Sequence, residues 1–311
     1  MSTVRKKLLR WVPVLGSVHR LLHSAKNALN RRVTRIKEVI DHIRFNIVWE
    51  ARIQRLARHS KQTPKKKPII HLYAICRNEE QIIPYFMSHY QPFVDEFNIY
   101  DNRSSDSSLE RLARYDNVTI IPFDTGDTFD EAAHMQIKNN AWKKSRGKAD
   151  FVIVCDMDEF LYHPEMASFL YLLKQHSFTV VRPHGYDMVS EQLPEFDGVH
   201  PITQLIKTGF DSWRNYSKTV LFSPTLEEIN FSPGSHRASP QGRVKLFRSD
   251  HLKLLHYKYV DRNKIIQKTQ TCRARLSETN KKHGWSRHYE KSDAQVMREF
   301  DSMLSIRRTI I

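Results

Sequence analysis

The sequence predicts an α/β fold: a mainly parallel sheet flanked by helices, carried behind a basic helical N-terminal extension. Three observations predict it. After Pro68, short apolar runs alternate with amphipathic stretches, the pattern of βαβ units. Polar clusters follow three of those runs, where an open parallel sheet presents its ligand-binding edge. The charge is also uneven: residues 1–68 hold 18 of the 50 Lys+Arg and three of the 34 Asp+Glu, a formal +15 of the chain's +16. The chain is therefore expected to divide into an extension, 1–68, and a nearly neutral body, 69–311.

In the extension, Leu22, Ala25, Leu29, Val33, Ile36, Ile40, Ile43 and Ile47 recur every three or four residues, which makes one helical stripe. Lys26, Arg31, Arg35, Lys37, Arg44 and Arg52 lie mostly off it. Such a helix can pack on the body, self-associate with a second copy, or lie on an anionic membrane surface. Nucleic acid is disfavoured, because no recognised nucleic-acid module accompanies the charge. Residues 1–18 have a basic start and an apolar patch broken by Pro13 and Gly16, better suited to an extra anchor than to a signal peptide. Residues 61–68 read as a polar linker. In the body, Ile69–Cys76, Glu96–Tyr100, Val118–Phe123 and Phe151–Cys155 read as strands, the last wholly apolar and so central. Glu79–Tyr90, Ser107–Tyr115 and Phe129–Ser145 read as the helices between them. Farther on, Thr179–Arg182, Lys218–Phe222 and residues 254–260 read as strands. Asn263–Ser277 and Asp293–Leu304 read as covering helices without a motif.

Composition excludes several classes. Nine Gly, none in a G-x-G arrangement, leave neither a Rossmann fingerprint nor a Walker A loop. H-E-x-x-H and G-x-S-x-G are missing too. Cys76, Cys155 and Cys272 are far apart, which argues against a disulfide framework or zinc ribbon and fits a reducing compartment. No apolar run reaches the roughly 18 to 20 residues of a spanning helix.

The polar clusters are Arg77-Asn78-Glu79-Glu80, residues 101–106, and Asp156-Met157-Asp158-Glu159. Any one of them could be a cap or a turn; three at successive strand ends exceed what capping requires. Asp156 and Asp158 carry the sharpest chemistry. Two carboxylates at i and i+2 can meet one divalent cation directly or through water, and oxygen ligation suits Mn²⁺ or Mg²⁺. Such an ion would offset the charge on a departing nucleotide. His236 and His256 are the candidate further ligands.

The segments I-C-R-N-E-E (75–80), Y-D-N-R-S-S-D-S-S (100–108) and C-D-M-D-E-F (155–160) resemble the family-2-type glycosyltransferases of the GT-A fold. Within them the likeness is strongest to a bacterial branch with a D-x-D-E-F motif. It covers residues 69–165 in order and spacing, and continues loosely to about residue 260 through S-P-G-S-H-R-A (232–238) and L-L-H-Y-K-Y-V (254–260). The resemblance implies a nucleotide-binding half, 69–165, and an acceptor half with C-terminal helices, 166–311. It implies that Arg77, Asn78, Glu79 and Asp101 hold the base and ribose of a sugar nucleotide, and that Asp106 shapes the loop. It further implies that Asp156 contacts ribose or a metal-bound water, and that Asp158 binds the metal. Gln136 and Asn140 are candidates to face the donor. Arg77 and Arg103 depart from the small residues usual there, which bears on substrate detail rather than fold.

An inverting transferase also needs a general base; Glu191 is preferred, with Asp187 and Glu159 as alternatives. Arg182, Lys218 and Arg243 are candidate cations for diphosphate or an anionic acceptor. Trp213, Tyr216 and Trp285 are candidate sugar-stacking faces. The resulting expectation is a metal-dependent, inverting glycosyltransferase. It would move a sugar from a nucleotide-sugar donor to a cell-envelope glycan or glycolipid such as lipopolysaccharide, and would be cytoplasmic and peripheral on the inner face of the membrane. The alternative is a catalytically inactive protein that binds a membrane or nucleic-acid surface on a transferase scaffold. A nucleotidyltransferase is disfavoured because its Gly-rich loop is missing.

Overall fold

The computed structural model describes residues 40, 43–55, 58, 67–212 and 217–311. Most of the predicted N-terminal stripe, the linker up to residue 66, and Trp213 and Tyr216 lie outside the described residues. The chain divides into two compact units, residues 1–52 and 53–311. Residues 43–55 are helical (α1), with Ile43, Phe45, Ile47 and Val48 exposed. Among the described residues, no helix is long and apolar enough to cross a membrane.

The body is built on β1 (Ile70–Cys76), buried along its whole length. It has a parallel neighbour on each side, so both its faces need apolar residues. Its polar side chains His71 and Tyr73 both meet Ser145 Oγ, at 2.8 and 2.7 Å. With β2 (Glu96–Asp101), β3 (Val118–Pro122) and β4 (Phe151–Asp156) it forms a parallel half-sheet in the spatial order β3-β2-β1-β4. The chain winds outward through β2 and β3, then returns to the far side of β1. The winding therefore reverses between β1 and β4, and such a point opens a crevice at the carboxyl ends of the strands.

The crossovers are α2 (Ile83–Tyr90), α3 (Ser108–Leu112) and α4 (Glu131–Asn140). The helix α2 begins four residues later than the sequence predicts. Residues 79–82 form a loop and turn, and Pro84 occupies the first turn of the helix, where its missing N–H costs no hydrogen bond. Asp130 caps α4 by accepting from Ala132 N and Ala133 N. The helix then tightens into a 3₁₀ turn over Ala141–Ser145.

Beyond β4 the sheet becomes mixed. Its further strands are β5 (Glu159–Tyr162), β6 (Val180–Ser190), β7 (Thr208–Asp211) and β8 (Leu221–Phe222). A separate hairpin, β9 (Glu228–Phe231) with β10 (Ala238–Gln241), precedes the long β11 (Leu246–Val260), and β12 (Arg308–Thr309) ends the chain. Helices α5 (Met166–Gln175) and α6 (Ile202–Leu205) lie within this half; α7 (Arg262–Arg275), α8 (Glu278–His283) and α9 (Asp293–Ile306) follow β11. Parallel ladders still hold most of the paired residues, because β11 runs parallel to β6 along most of its length. The predicted α/β class, with its mainly parallel sheet, is therefore what forms.

One face of the sheet buries Tyr73, Ile75, Val152, Val154, Val180 and Phe222 against Trp142 of the 3₁₀ turn and Phe231 of the hairpin. On the helix α2, Phe86 and Tyr90 pack on Phe160, with ring centroids 6.0 and 6.2 Å away. Each such fully buried side chain contributes about 1.5–3 kcal/mol. One register feature positions the site: in β11, His256 lies opposite Glu159 of β5 and opposite Asp187 of β6.

Candidate active site

The loops after β1 and β2 lock onto each other at the sheet's carboxyl edge. Asp101 is buried and accepts from Ser104 N at 3.1 Å and Ser104 Oγ at 2.5 Å. Asp106 accepts from Ser108 N at 3.0 Å and Glu80 N at 3.1 Å. Asn78, in the left-handed region at φ 53°, accepts from Ser105 N at 2.8 Å. Arg77 donates to Asn102 O at 2.6 Å and to Asp127 at 2.9 Å, tying in the loop after β3. These residues build a preorganised floor whose side chains largely hold one another. Glu79 points elsewhere, toward Lys268 at 3.1 Å.

Met157 and Asp158 form the tight turn between β4 and β5, so the D-x-D sits on the corner where the chain leaves the parallel half-sheet. Lysines meet it. Asp156 pairs with Lys138 of α4 at 2.6 Å and with Lys218 at 3.6 Å. Lys218 also reaches Glu159 at 2.5 Å, a pair 4% and 1% exposed. Asp158 pairs with Lys268 of α7 at 3.1 Å and faces His256 Nε2 at 3.5 Å. Burial works against ionisation of both aspartates. Lys138 and Lys218 outweigh it at Asp156, as Lys268 and His256 do at Asp158, and hold each carboxyl below its ordinary range. At Glu79 burial prevails and, with the charges of Asp158 and Asp156, raises the carboxyl despite Lys268.

His256 completes the cluster. Its Nδ1 donates to Asp187 at 2.8 Å, and Asp187 also accepts from Ser212 Oγ. Burial disfavours the imidazolium, but Asp158 and Asp187 outweigh it and lift the imidazole to about 9. A carboxylate on Nδ1 that turns Nε2 toward a second carboxylate is the arrangement that orients a metal-bound imidazole. Asp158 and His256 therefore fit a divalent cation that displaces the Nε2 proton. Among the described residues no group of three or more His, Cys, Asp and Glu side chains is gathered for one ion. The remaining positions would fall to substrate oxygens and water, as Mn²⁺ and Mg²⁺ accept.

The fold gathers Glu79, Asp156, Asp158, Glu159, Asp187 and His256 at one place. Gln136 and Asn140 are exposed on α4, and Asn140 Nδ2 donates to Gln136 O at 2.9 Å; the face of α4 turned to Asp156 carries Lys138. His236 lies exposed after the turn Pro233–Ser235. Glu191 is exposed just past β6, whereas Asp187 and Glu159 are buried in ion pairs and hydrogen bonds. Arg182 donates to Ser217 O at 3.0 Å, Arg243 is exposed, and Trp285 stacks on His283 at 4.6 Å. The sequence reading missed Lys138 and Lys268. A signal for the second was present: Lys264, Lys268, Cys272 and Arg275 fall on one face of α7.

The reversal of winding between β1 and β4 thus carries an acidic, lysine-lined strand corner at the carboxyl edge of the sheet. Residues 73–303 match glycosyltransferase family 92, and the chain belongs to that family: it is a glycosyltransferase. No curated protein matches the chain by sequence. Among solved structures, S. aureus TarS is 12% identical, with a TM-score of 0.41 over 76% of this chain and 43% of TarS. The chain thus spans less than half of that protein. TarS residues 1–349 in complex with UDP is 12% identical, with a TM-score of 0.40 over 75% of this chain and 70% of that one. The same fragment in complex with UDP-GlcNAc is also 12% identical, with a TM-score of 0.38 over 76% and 73%.

Proposed function

We propose that this family 92 enzyme is a metal-assisted, inverting transferase of the D-x-D-E-F kind, using a nucleotide-sugar donor and a cell-envelope glycan or glycolipid acceptor. The observation that carries the reading is the line Asp158–His256–Asp187 at the corner between β4 and β5. In it, Asp187 accepts from Nδ1 of His256 and aims Nε2 at Asp158, and Asp158 and His256, once Nε2 has released its proton, would hold a Mn²⁺ or Mg²⁺ ion. When bound, that ion neutralises the charge that builds on the departing diphosphate. Lys138 and Lys218 keep Asp156 ionised for the ribose side of the donor. The loops of Arg77–Glu79 and Asp101–Asp106 frame the base.

Glu191, the exposed carboxylate of the three candidates, takes the proton from the acceptor hydroxyl as its oxygen attacks the anomeric carbon. The bond from that carbon to the phosphate oxygen breaks, its electron pair leaves with the nucleoside diphosphate, and the configuration inverts. Residues 1–68 serve as a separate basic extension. The exposed Ile43, Phe45, Ile47 and Val48 of α1 beside that charge suit a peripheral position on an anionic membrane.

The test is a thermal-shift panel of nucleotide sugars with and without Mn²⁺. A UDP- or GDP-sugar at a hundredfold excess over its Kd should stabilise the protein by about 2.7 kcal/mol, only with metal, and not in Asp158→Asn. A folded protein that responds to none of them refutes the donor assignment. A shift that ignores both metal and Asp158→Asn refutes the metal site.

A further inference from the structure

Lys268 is a cation on a fixed mount. The helix α7 that carries it is tied to the body at both ends. At its start, Asp261 caps Asn263 N and Lys264 N, and Asp261 N bonds Ser190 O at 3.1 Å. At its end, Phe129 N bonds Arg275 O at 2.6 Å and Ser277 N bonds Phe129 O at 3.2 Å. The basic face of α7 is therefore held over the D-x-D corner by backbone bonds. From it the Lys268 ammonium reaches Asp158 Oδ2 and Glu79 Oε1, each at 3.1 Å.

The three lysines at the corner differ in kind. Lys138 and Lys218 are 7% and 4% exposed, so they are enclosed counter-ions. Lys268 is 45% exposed, and its four-carbon stem leaves the ammonium free to change partners without moving the helix. Its partner is also special, since Asp158 is the carboxylate that fits a divalent ion with His256. An ammonium on Asp158 and a divalent cation on the same group repel each other. A diphosphate arriving with that cation brings the negative charge that a released ammonium can meet.

We propose that Lys268 is an exchangeable internal cation of the donor site. It balances Asp158 and Glu79 in the free enzyme and transfers to the diphosphate of the nucleotide when a divalent ion takes Asp158. Metal and nucleotide then bind cooperatively, because each relieves what the other leaves unpaired. This rests on the metal-assisted reading above.

The experiment is a Mn²⁺ titration by calorimetry and by water-proton relaxation, on the full chain, with and without UDP or GDP. In the wild type, nucleotide should tighten Mn²⁺ about tenfold or more. Lys268→Met should bind Mn²⁺ alone about tenfold more tightly, lose most of that coupling, and bind the nucleotide more weakly. Lys268→Gln is the second variant, and Lys268→Arg should retain the coupling. Unchanged Mn²⁺ affinity and coupling in folded Lys268→Met and Lys268→Gln would overturn the exchange and leave the metal site standing. Failure of the wild type and both variants to bind Mn²⁺, with either nucleotide present, would overturn both.

Discussion

Lys218 reaches Glu159 at 2.5 Å with both side chains almost fully buried. Such a pair is costly to assemble and costlier to break, because removing one partner strands the other charge away from water. Lys218→Met should therefore lower stability by about 3–5 kcal/mol, read by urea denaturation, and Lys218→Met with Glu159→Gln should recover most of it. A single variant as stable as the wild type would contradict the pairing. The residue scale also shows what spacing can and cannot say. Asp156 and Asp158 were legible because two carboxylates past an apolar strand are chemically conspicuous. Asp187, one of the candidate bases, is buried in β6 and accepts from His256. Glu191, four residues on, escapes the sheet and stays exposed. Alternation puts positions 187 and 191 on the same face; what separates them is the end of the strand at Ser190, and the sequence reading ended that strand at Arg182.

The helix α2 carries a buried base. His89 lies among Tyr90, Phe93 and Phe160 and donates from Nε2 to Leu161 O at 2.9 Å. Burial lowers it from 6.5 to about 4. The unfolded chain then binds the extra proton first, so this contribution is complete above pH 6.5 and is lost as pH falls toward 4. The slope is about 1.4 kcal/mol per pH unit and the total about 3 kcal/mol. His89→Gln, which keeps a donor for Leu161 O, should flatten that part of the acid limb in denaturation curves at pH 7, 6 and 5. An equal loss in the variant would assign the acid sensitivity to other groups. At this scale the parallel strands were legible from their apolar runs, whereas β5 was not. Its four residues follow the D-x-D turn without a Gly or Pro to announce it, and its partner among the described residues is β11, about ninety residues later.

The whole molecule joins a strongly basic segment to a nearly neutral enzyme. If the extension binds an anionic surface, replacing Lys26, Arg31, Arg35 and Arg44 with Gln should weaken binding to phosphatidylserine vesicles by about 1 kcal/mol per charge. Flotation at low and high salt reads this, and equal recovery of the wild type and the variant would remove the membrane role. The sequence by itself determined the α/β class, the polar edge and the D-x-D, because each is written locally, in a strand and the few residues after it. Only the tertiary structure decided that Asp158, Asp187, His256 and Lys268 share one site. Three of those four are brought together by β11 lying between β5 and β6, and the fourth by a helix tied to a loop in the other half. Such pairings depend on the register of strands far apart in the chain, and local periodicity does not encode it.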